Sequence, residues 1–195
     1  SVRNAAEKIL PFQFKEFMPP TLISQSVDDI KNFFKIHQDI ITKPLYGNGG
    51  EGIQRIQDGF LEGIDIHSDY LEMPIMVQKY IPEICEGDRR IIFFDGDYVG
   101  SVARIPSKGS IKANFHAGGT AKKIGLVFRD QQIIQALGIE LKKMDLFFVG
   151  IDIIGNYLTE INVTSPTGIK QINKLNNIKL EEVFWDKLEA KYKIV

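Results

Sequence analysis

Three oxygen-bearing side chains interrupt an otherwise apolar stretch, GIDIIGNYLTEINV (150–163): Asp152, Glu160 and Asn162. Two carboxylates and an amide are hard oxygen donors of the kind that hold Mg2+. The stretch reads as strand, turn, strand, so its register decides whether those donors meet. A loop of only Gly155-Asn156 would set Ile151 against Glu160 and Asp152 against Thr159, mixing apolar and acidic groups on each face. One more loop residue, with Ile154 facing Leu158, sorts them. Val149, Ile151 and Ile153 then meet Val163, Ile161 and Thr159, and Gly150, Asp152 and Ile154 meet Asn162, Glu160 and Leu158. Burial favours the sorted arrangement, which predicts a three-residue loop or a bulge. Asp152 and Glu160 are then cross-strand neighbours, with Asn162 two residues along on the same face. Adjacent carboxylates repel unless positive charge lies between them. Mg2+ is rarely caged by protein alone and takes phosphate oxygens as well. From the hairpin alone two readings stand: a metal site that also holds phosphate, or two acids solvated on the open face of an antiparallel sheet.

A second segment bears on phosphate. KPLYGNGGEGI (43–53) offers Gly47, Gly49, Gly50 and Gly52. The spacing of Gly47, Gly49 and Gly52 matches G-x-G-x-x-G, but no helical pattern follows, so the dinucleotide-binding context is missing. No Gly-Lys-Ser/Thr occurs, which excludes a Walker A loop. What remains is a glycine flap between strands, whose N–H groups can approach phosphate because no Cβ intervenes. Lys43 precedes the flap as a source of positive charge. Judged alone, a hairpin with an ordinary surface lysine reads equally well. Together with the strand end QKYI, Arg89, Arg90, Arg104 and the acidic hairpin, the flap points to phosphoryl transfer or acyl-phosphate formation.

The elements that must position these groups follow from periodicity and turn residues. Ser26 starts a helix through VDDIKNFFKIHQ, with Asp29 at capping-box distance and Ile30, Phe33 and Phe34 on one face. DIITKPL, IQRIQ and PIMVQKYI read as strands, and RRIIFFDGDYVGSVARI as a hairpin turning at Asp95-Gly96-Asp97. Residues 106–125 read as a long loop. Asp130 caps a predicted helix to about Met144, and KLEEVFWDKLEAKY closes the chain as an amphipathic helix. Helices intermixed with mostly antiparallel strands predict an α+β fold.

Bulk properties narrow the function. The chain has 195 residues, 44% of them apolar, which is enough for a sizeable core. A net charge of −1 excludes a nucleic-acid binder working by bulk electrostatics. The single cysteine, Cys85, forms no internal disulfide, and a reducing compartment with Cys85 as a buried or half-buried thiol is expected. His37, His67 and His116 lack ligand partners at helical spacing and read as structural or surface residues. No apolar run is long enough to span a membrane, and SVRNAAEKIL is not a signal peptide.

The segments RNAAEKI, MPPTLIS, IITKPLYGNGGEGI, VQKYIPEICEGDRRI, VARIP, NFHAGGTAKK and FVGIDIIGNYLTEINVTSPTG, in this order, resemble the ATP-grasp ligases, and specifically the bacterial glutathione synthetases. The resemblance covers essentially the whole chain, and the last segment is its most specific part. It implies an ATP-grasp fold of two α+β lobes with ATP bound between them. The first lobe would be 1–81, with flap 46–53 and hinge 78–81; the second would be 82–195, with lid loop 106–125. It implies that Lys8 and Lys43 contact ATP phosphates under Gly47, Gly49, Gly50 and Gly52. Gln78, Lys79, Tyr80 and Ile81 would read adenine through the backbone, and Asp88 would face the ribose. Asp152, Glu160 and Asn162 would hold Mg2+, with Mn2+ as a substitute. Arg90 and Arg104 would be catalytic, stabilising the transferring phosphoryl group and the acyl phosphate. Asn114, Gly118 and Gly119 would belong to the lid, and Ser165, Pro166 and Thr167 would lie near the peptide substrate. The implied reaction joins γ-glutamylcysteine and glycine, with ATP cleaved to ADP and phosphate, in a cytoplasmic enzyme whose full-length form is a homo-oligomer. Lys112 and Thr120 stand where the family has lid arginines, and Ser110 where it has an acid. The family's amino-terminal domain has no counterpart here and the chain does not begin with Met. The expectation is therefore the ATP-grasp portion of a longer enzyme, binding Mg-ATP but turning over poorly alone. Another ATP-grasp carboxylate–amine ligase, or a nucleotide-binding module without catalysis, are the alternatives.

Overall fold

The computed structural model describes residues 2, 5–46, 51–57, 70–115 and 118–193, and they form two compact units. One comprises residues 18–82; the other comprises 83–195 together with 1–17. The first seventeen residues, expected with the 1–81 lobe, thus pack with the other unit. The reason is apolar: Leu10, Phe14 and Phe17 are buried in that unit's core.

In unit 18–82 the strands β1 (Thr21–Ser26), β2 (Ile40–Pro44), β3 (Gln54–Ile56) and β4 (Tyr70–Lys79) form an antiparallel sheet of order β1-β4-β2-β3. Helix α1 (Val27–His37) follows β1 and starts as expected, with Ser26 Oγ accepting from the Asp29 N–H. The Asp29 carboxylate does not return to the Ser26 backbone; it accepts from Ser24 Oγ at 2.8 Å, and Ser24 Oγ in turn accepts the Ser26 N–H at 3.0 Å. Ile30, Ile40, Ile56 and Val77 form the core between helix and sheet.

The other unit is built on a five-stranded antiparallel sheet. Its strands are β5 (Asp88–Phe94), β6 (Asp97–Ile105), β7 (Thr120–Lys122), β8 (Phe148–Ile154) and β9 (Tyr157–Asn162), in the order β7-β6-β5-β8-β9. Every pairing among the described strands is antiparallel, and the α+β class stands. The β5–β6 hairpin turns on two residues, Asp95 and Gly96, with φ of 50° and 80°, and Asp97 belongs to the strand. Two central residues at positive φ match the twist of the flanking strands.

Both hairpins of this sheet carry a bulge. In β5–β6, Phe93 faces Tyr98 and Ile92 faces Gly100, so Val99 is the extra residue. In β8–β9, Ile153 faces Leu158 and Asp152 faces Glu160, so Thr159 is extra, and its hydroxyl donates to the Asp152 carbonyl at 3.1 Å. The sorted register of 150–163 is therefore achieved by a bulge, with a two-residue loop. Ile153 meets Leu158 rather than Thr159, and Ile154 meets Tyr157 rather than Leu158.

One face of this sheet packs on helix α2 (Phe128–Lys143) and on the amino-terminal 3-10 stretch Leu10–Phe17, through Ile91, Phe93, Val149, Ile151, Ile161, Ile133, Leu137 and Leu141. Helix α2 starts two residues before Asp130, whose carboxylate accepts from the Val127 N–H at 3.1 Å. At one end of the other face, Ile92 and Phe94 pack against helices α3 (Ile169–Asn176) and α4 (Leu180–Tyr192) through Ile172, Leu180 and Phe184. Helix α3 was not expected from the sequence, and strand β7 lies inside the expected loop 106–125. Cys85 is exposed rather than buried, because in the turn Pro82–Glu86 it is Ile84 that points inward.

Helix α2 crosses the hairpin turn so closely that a Cβ on Gly138 would press into the carbonyl oxygen of Gly96, and one on Gly96 into that of Gly138. Helix propensity alone would make Gly138→Ala stabilising by about 1 kcal/mol. The packing reverses that sign: Gly138→Ala is expected to melt below the wild type in thermal denaturation, and a higher melting temperature would contradict the close crossing.

Candidate functional site

The site in the larger unit is a row of charges crossing four strands on one sheet face. Register sets Arg104 of β6 opposite Asp88 of β5, Arg90 of β5 opposite Asp152 of β8, and Asp152 opposite Glu160 of β9. Gly150 faces Asn162, so Asn162 lies two residues from Glu160 on the same face. Each bulge is necessary for this. Without Val99 the register would turn Arg104 to the opposite face, and without Thr159 it would turn Glu160 away.

The two arginines and two aspartates of the row are buried and closely bonded, while Glu160 and Asn162 are half-buried. Arg90 Nε and Nη2 donate to the two oxygens of Asp152 at 2.5 and 2.9 Å, and Arg104 Nη2 reaches Asp152 Oδ2 at 2.8 Å. Arg104 also forks onto Asp88 at 2.6 and 2.5 Å. Asp88, Arg90, Arg104 and Asp152 are 6%, 4%, 2% and 4% exposed, so their charges are compensated by one another rather than by water. Burial would push the Asp152 carboxyl up, but Arg104 and Arg90 together hold it well below the usual carboxylate range. Burial resists the charge on Arg104, yet Asp152 and Asp88 raise its pKa further. Asp88 is shifted the other way, upward, by burial and by the Asp152 charge, against the pull of Arg104.

Asn162 Nδ2 lies 3.4 Å from Asp152 Oδ2, so the amide and this carboxylate are adjacent as expected. Among the described residues no group of three or more His, Cys, Asp or Glu side chains is arranged to hold a metal. Two carboxylates and an amide on adjacent strands still fit a hard cation that takes its remaining ligands from phosphates and water. Arg90 and Arg104 already offset part of the acidic charge, which suits a cation carried in by an anionic ligand.

Arg89 is not part of the row. Its side chain faces the α2 side, where it donates to buried Asp130 at 3.0 Å and to the Gly155 carbonyl. Asp88, expected from the resemblance to face the ribose, has both oxygens committed to Arg104.

Beside the row lies a cleft of about 490 Å3 lined by Phe115, Phe148, Ser165, Pro166, Thr167 and the first turn of α3. Arg90 Nη1 donates to the Thr167 carbonyl at 3.0 Å, which ties the cleft wall to the row. Gly150 has no room for a Cβ, since one placed there would lie only 2.7 Å from Pro166 Cβ. The Gly119 N–H donates to the Asn114 carbonyl at 3.1 Å, and a Cβ on Gly119 would collide with the Ala113 carbonyl.

In unit 18–82 the structure joins two of the expected residues. Lys43 Nζ donates to Gln78 Oε1 at 2.8 Å, and Gln78 Nε2 donates to Thr21 Oγ1 at 2.9 Å. Gln78 is 2% exposed and sits on an inner strand, so it fixes the lysine from β4. The N–H groups of Lys79 and Tyr80 donate to the carbonyls of Pro20 and Asp39, at 2.9 and 3.0 Å. Arg55, paired with Asp39, stacks over the Tyr80 ring at 3.5 Å, and Ile81 is buried. Gly47, Gly49 and Gly50 lie outside the described residues; Gly52, with φ of 69°, packs against Pro44. Lys8 follows Glu7, whose carboxylate bonds the chain after Asn162.

The family model for the prokaryotic glutathione synthetase ATP-grasp domain matches residues 7–177. The chain belongs to this family. It is 40% identical to the glutathione synthetase of Agrobacterium fabrum, over 97% of this chain and 60% of that protein. It is 42% identical to that of Rhodopseudomonas palustris, over 98% of this chain and 62% of the relative. It thus spans about three fifths of the length of these relatives. Two solved structures share the ATP-grasp fold. The ATP-grasp ligase PsnB, complexed with a precursor peptide and AMPPNP, superposes with a TM-score of 0.72 at 15% identity, covering 98% of this chain and 61% of that one. D-alanine–D-alanine ligase from Bacillus anthracis, complexed with ATP, gives 0.63 at 15% identity, covering 97% and 68%. Among the described residues no helix is long and apolar enough to cross a membrane.

The residues missed by sequence reasoning are Glu7, Gly150 and the Asp88–Arg104 pair. Alternation along β5 puts Asp88 and Arg90 on one face, but only the Val99 bulge brings Arg104 to them.

Removing one partner of a buried ion pair leaves charge uncompensated and costs about 3–5 kcal/mol. Asp152→Asn is expected to lose about that much stability near neutral pH. Because the folded pKa of Asp152 is depressed, its contribution is present above the unfolded value of about 4 and fades as pH falls below it. The deficit of the variant should therefore shrink on acidification; equal stability at neutral pH would contradict the pairing.

Proposed function

We propose that the chain carries the ATP-binding and catalytic part of a glutathione synthetase, which joins γ-glutamylcysteine to glycine with cleavage of ATP to ADP and phosphate. The observation that carries this reading is the buried set Arg104–Asp88 and Arg90–Asp152, with half-buried Glu160 opposite Asp152, in a chain 40% identical to a glutathione synthetase. Asp152, Glu160 and Asn162 would hold Mg2+, or Mn2+ in its place, and the cation would supply charge neutralisation at the phosphates. Lys8 and Lys43 bind phosphate oxygens under the flap of Gly47, Gly49, Gly50 and Gly52, with Lys43 aimed by Gln78. The backbone of residues 78–81 reads the adenine.

Arg90 and Arg104 stabilise the phosphoryl group as it passes to the cysteinyl carboxylate, and then the acyl phosphate that the glycine amine attacks. These steps need positioning and charge stabilisation, so no nucleophilic side chain is required. Asp88 keeps Arg104 oriented instead of binding ribose. Ser165, Pro166 and Thr167 bound the peptide site. The loop 106–125, with Asn114, Gly118 and Gly119, excludes the water that would hydrolyse the acyl phosphate. The cytoplasm is the proposed compartment, where the exposed thiol of Cys85 stays reduced.

Calorimetric titration tests the reading. The chain should bind ATP at least tenfold more tightly with Mg2+ than without, a difference of about 1.4 kcal/mol. Glu160→Gln should lose the Mg2+-dependent part. With γ-glutamylcysteine present, glycine should be the amine incorporated into any product. Unchanged Mg-ATP binding by Glu160→Gln, or ligation of a different amine in preference to glycine, would overturn the reading.

A further inference from the structure

A single carboxylate fastens the amino-terminal turn to the strand that carries Asn162. Glu7 Oε1 accepts the backbone N–H groups of Val163 and Thr164, each at 3.0 Å, and the Thr164 hydroxyl at 2.8 Å. The Glu7 carbonyl also accepts from the Ile161 N–H at 3.4 Å. Strand β9 is the edge of the five-stranded sheet, so the backbone groups on its outer side need partners from elsewhere. Glu7 meets that need where β9 ends. Hydrogen bonds to an ionised oxygen are the stronger kind, and three converge here. The turn that bears Glu7 is itself held by the burial of Leu10, Phe14 and Phe17.

The grip lies where the site needs order. Asn162 is the residue just before Val163, and three residues beyond Thr164 the Thr167 carbonyl receives Arg90. Groups behind the direct ligands orient them and set metal affinity. We propose that Glu7 is a positioning residue for the metal–phosphate site: by clamping Val163 and Thr164 it fixes the rotation of β9 at Asn162 and the start of the turn that Arg90 leans on. The proposal rests on the reading of Asp152, Glu160 and Asn162 as the metal donors.

The test is Mn2+ affinity of the chain with ATP present, followed by the electron spin resonance of free Mn2+, beside ATP affinity without metal. Glu7→Ala should weaken Mn2+ binding by about 10–100-fold, the usual loss for such a group, with metal-free ATP affinity unchanged. Glu7→Gln keeps an acceptor oxygen at the same reach and should restore most of the loss. Thr164→Val removes only one donor at an exposed position and should weaken Mn2+ binding severalfold while melting like the wild type, so it carries the test if Glu7→Ala does not fold. Wild-type Mn2+ affinity in folded Glu7→Ala, or in Thr164→Val, overturns the proposal when Asn162→Ala still weakens binding. Wild-type affinity in Asn162→Ala sinks the metal reading, and Glu7's role with it.

Discussion

Two guanidiniums and two carboxylates, all at least nine-tenths buried on one sheet face, are the constraint on which the rest of the larger unit depends. None of them is tolerable there alone, since an unpaired buried charge costs several kcal/mol. Arg90 and Arg104 close on Asp152, and Arg104 closes on Asp88, so the set is neutral as a whole. A neutral cluster of fixed, oriented charges suits an anionic ligand that arrives with its own cation. Both arginines are held in place by Asp152 and Asp88. Pre-orientation of this kind is how charge stabilisation acts on phosphoryl transfer without reorganisation at the moment of reaction.

The fold serves this cluster through two extra residues. Val99 and Thr159 each shift a hairpin register by one, which moves Arg104 and Glu160 to the face that carries Asp88, Arg90 and Asp152. The apolar residues of the same strands sort as a result. Ile91, Phe93, Ile151 and Ile161 reach the α2 side, where Arg89 spends its charge on Asp130 instead of on the site. Site and core are therefore two outcomes of one register. In the smaller unit the same logic appears on a lesser scale, with Lys43 held across the sheet by Gln78 and Thr21.

Much of this was legible in the residues themselves. The mixture of apolar and acidic side chains in 150–163 demanded a bulge or a longer loop, because a plain two-residue hairpin would have buried acids among isoleucines. Ser26 and Asp-Gly announced a helix start and a tight turn by local chemistry alone. What stayed hidden depends on contacts between distant segments. The pairing of Asp88 with Arg104 requires the Val99 bulge, which nothing in DYVGS signals. The packing of 1–17 with the unit 83–195 is decided by where Leu10, Phe14 and Phe17 find apolar partners. Helix α3 begins at a glycine with φ of 122° rather than at a side-chain cap, so its start carried no local mark.

Anomalous diffraction from crystals grown with Mn2+ and a non-hydrolysable ATP analogue addresses the central claim most directly. The account predicts one Mn2+ peak about 2.1 Å from oxygens of Asp152, Glu160 and Asn162 and from phosphate oxygens of the analogue, a spacing normal for such hard-cation ligation. A cation bound to the phosphates with none of these three side chains in contact would contradict it.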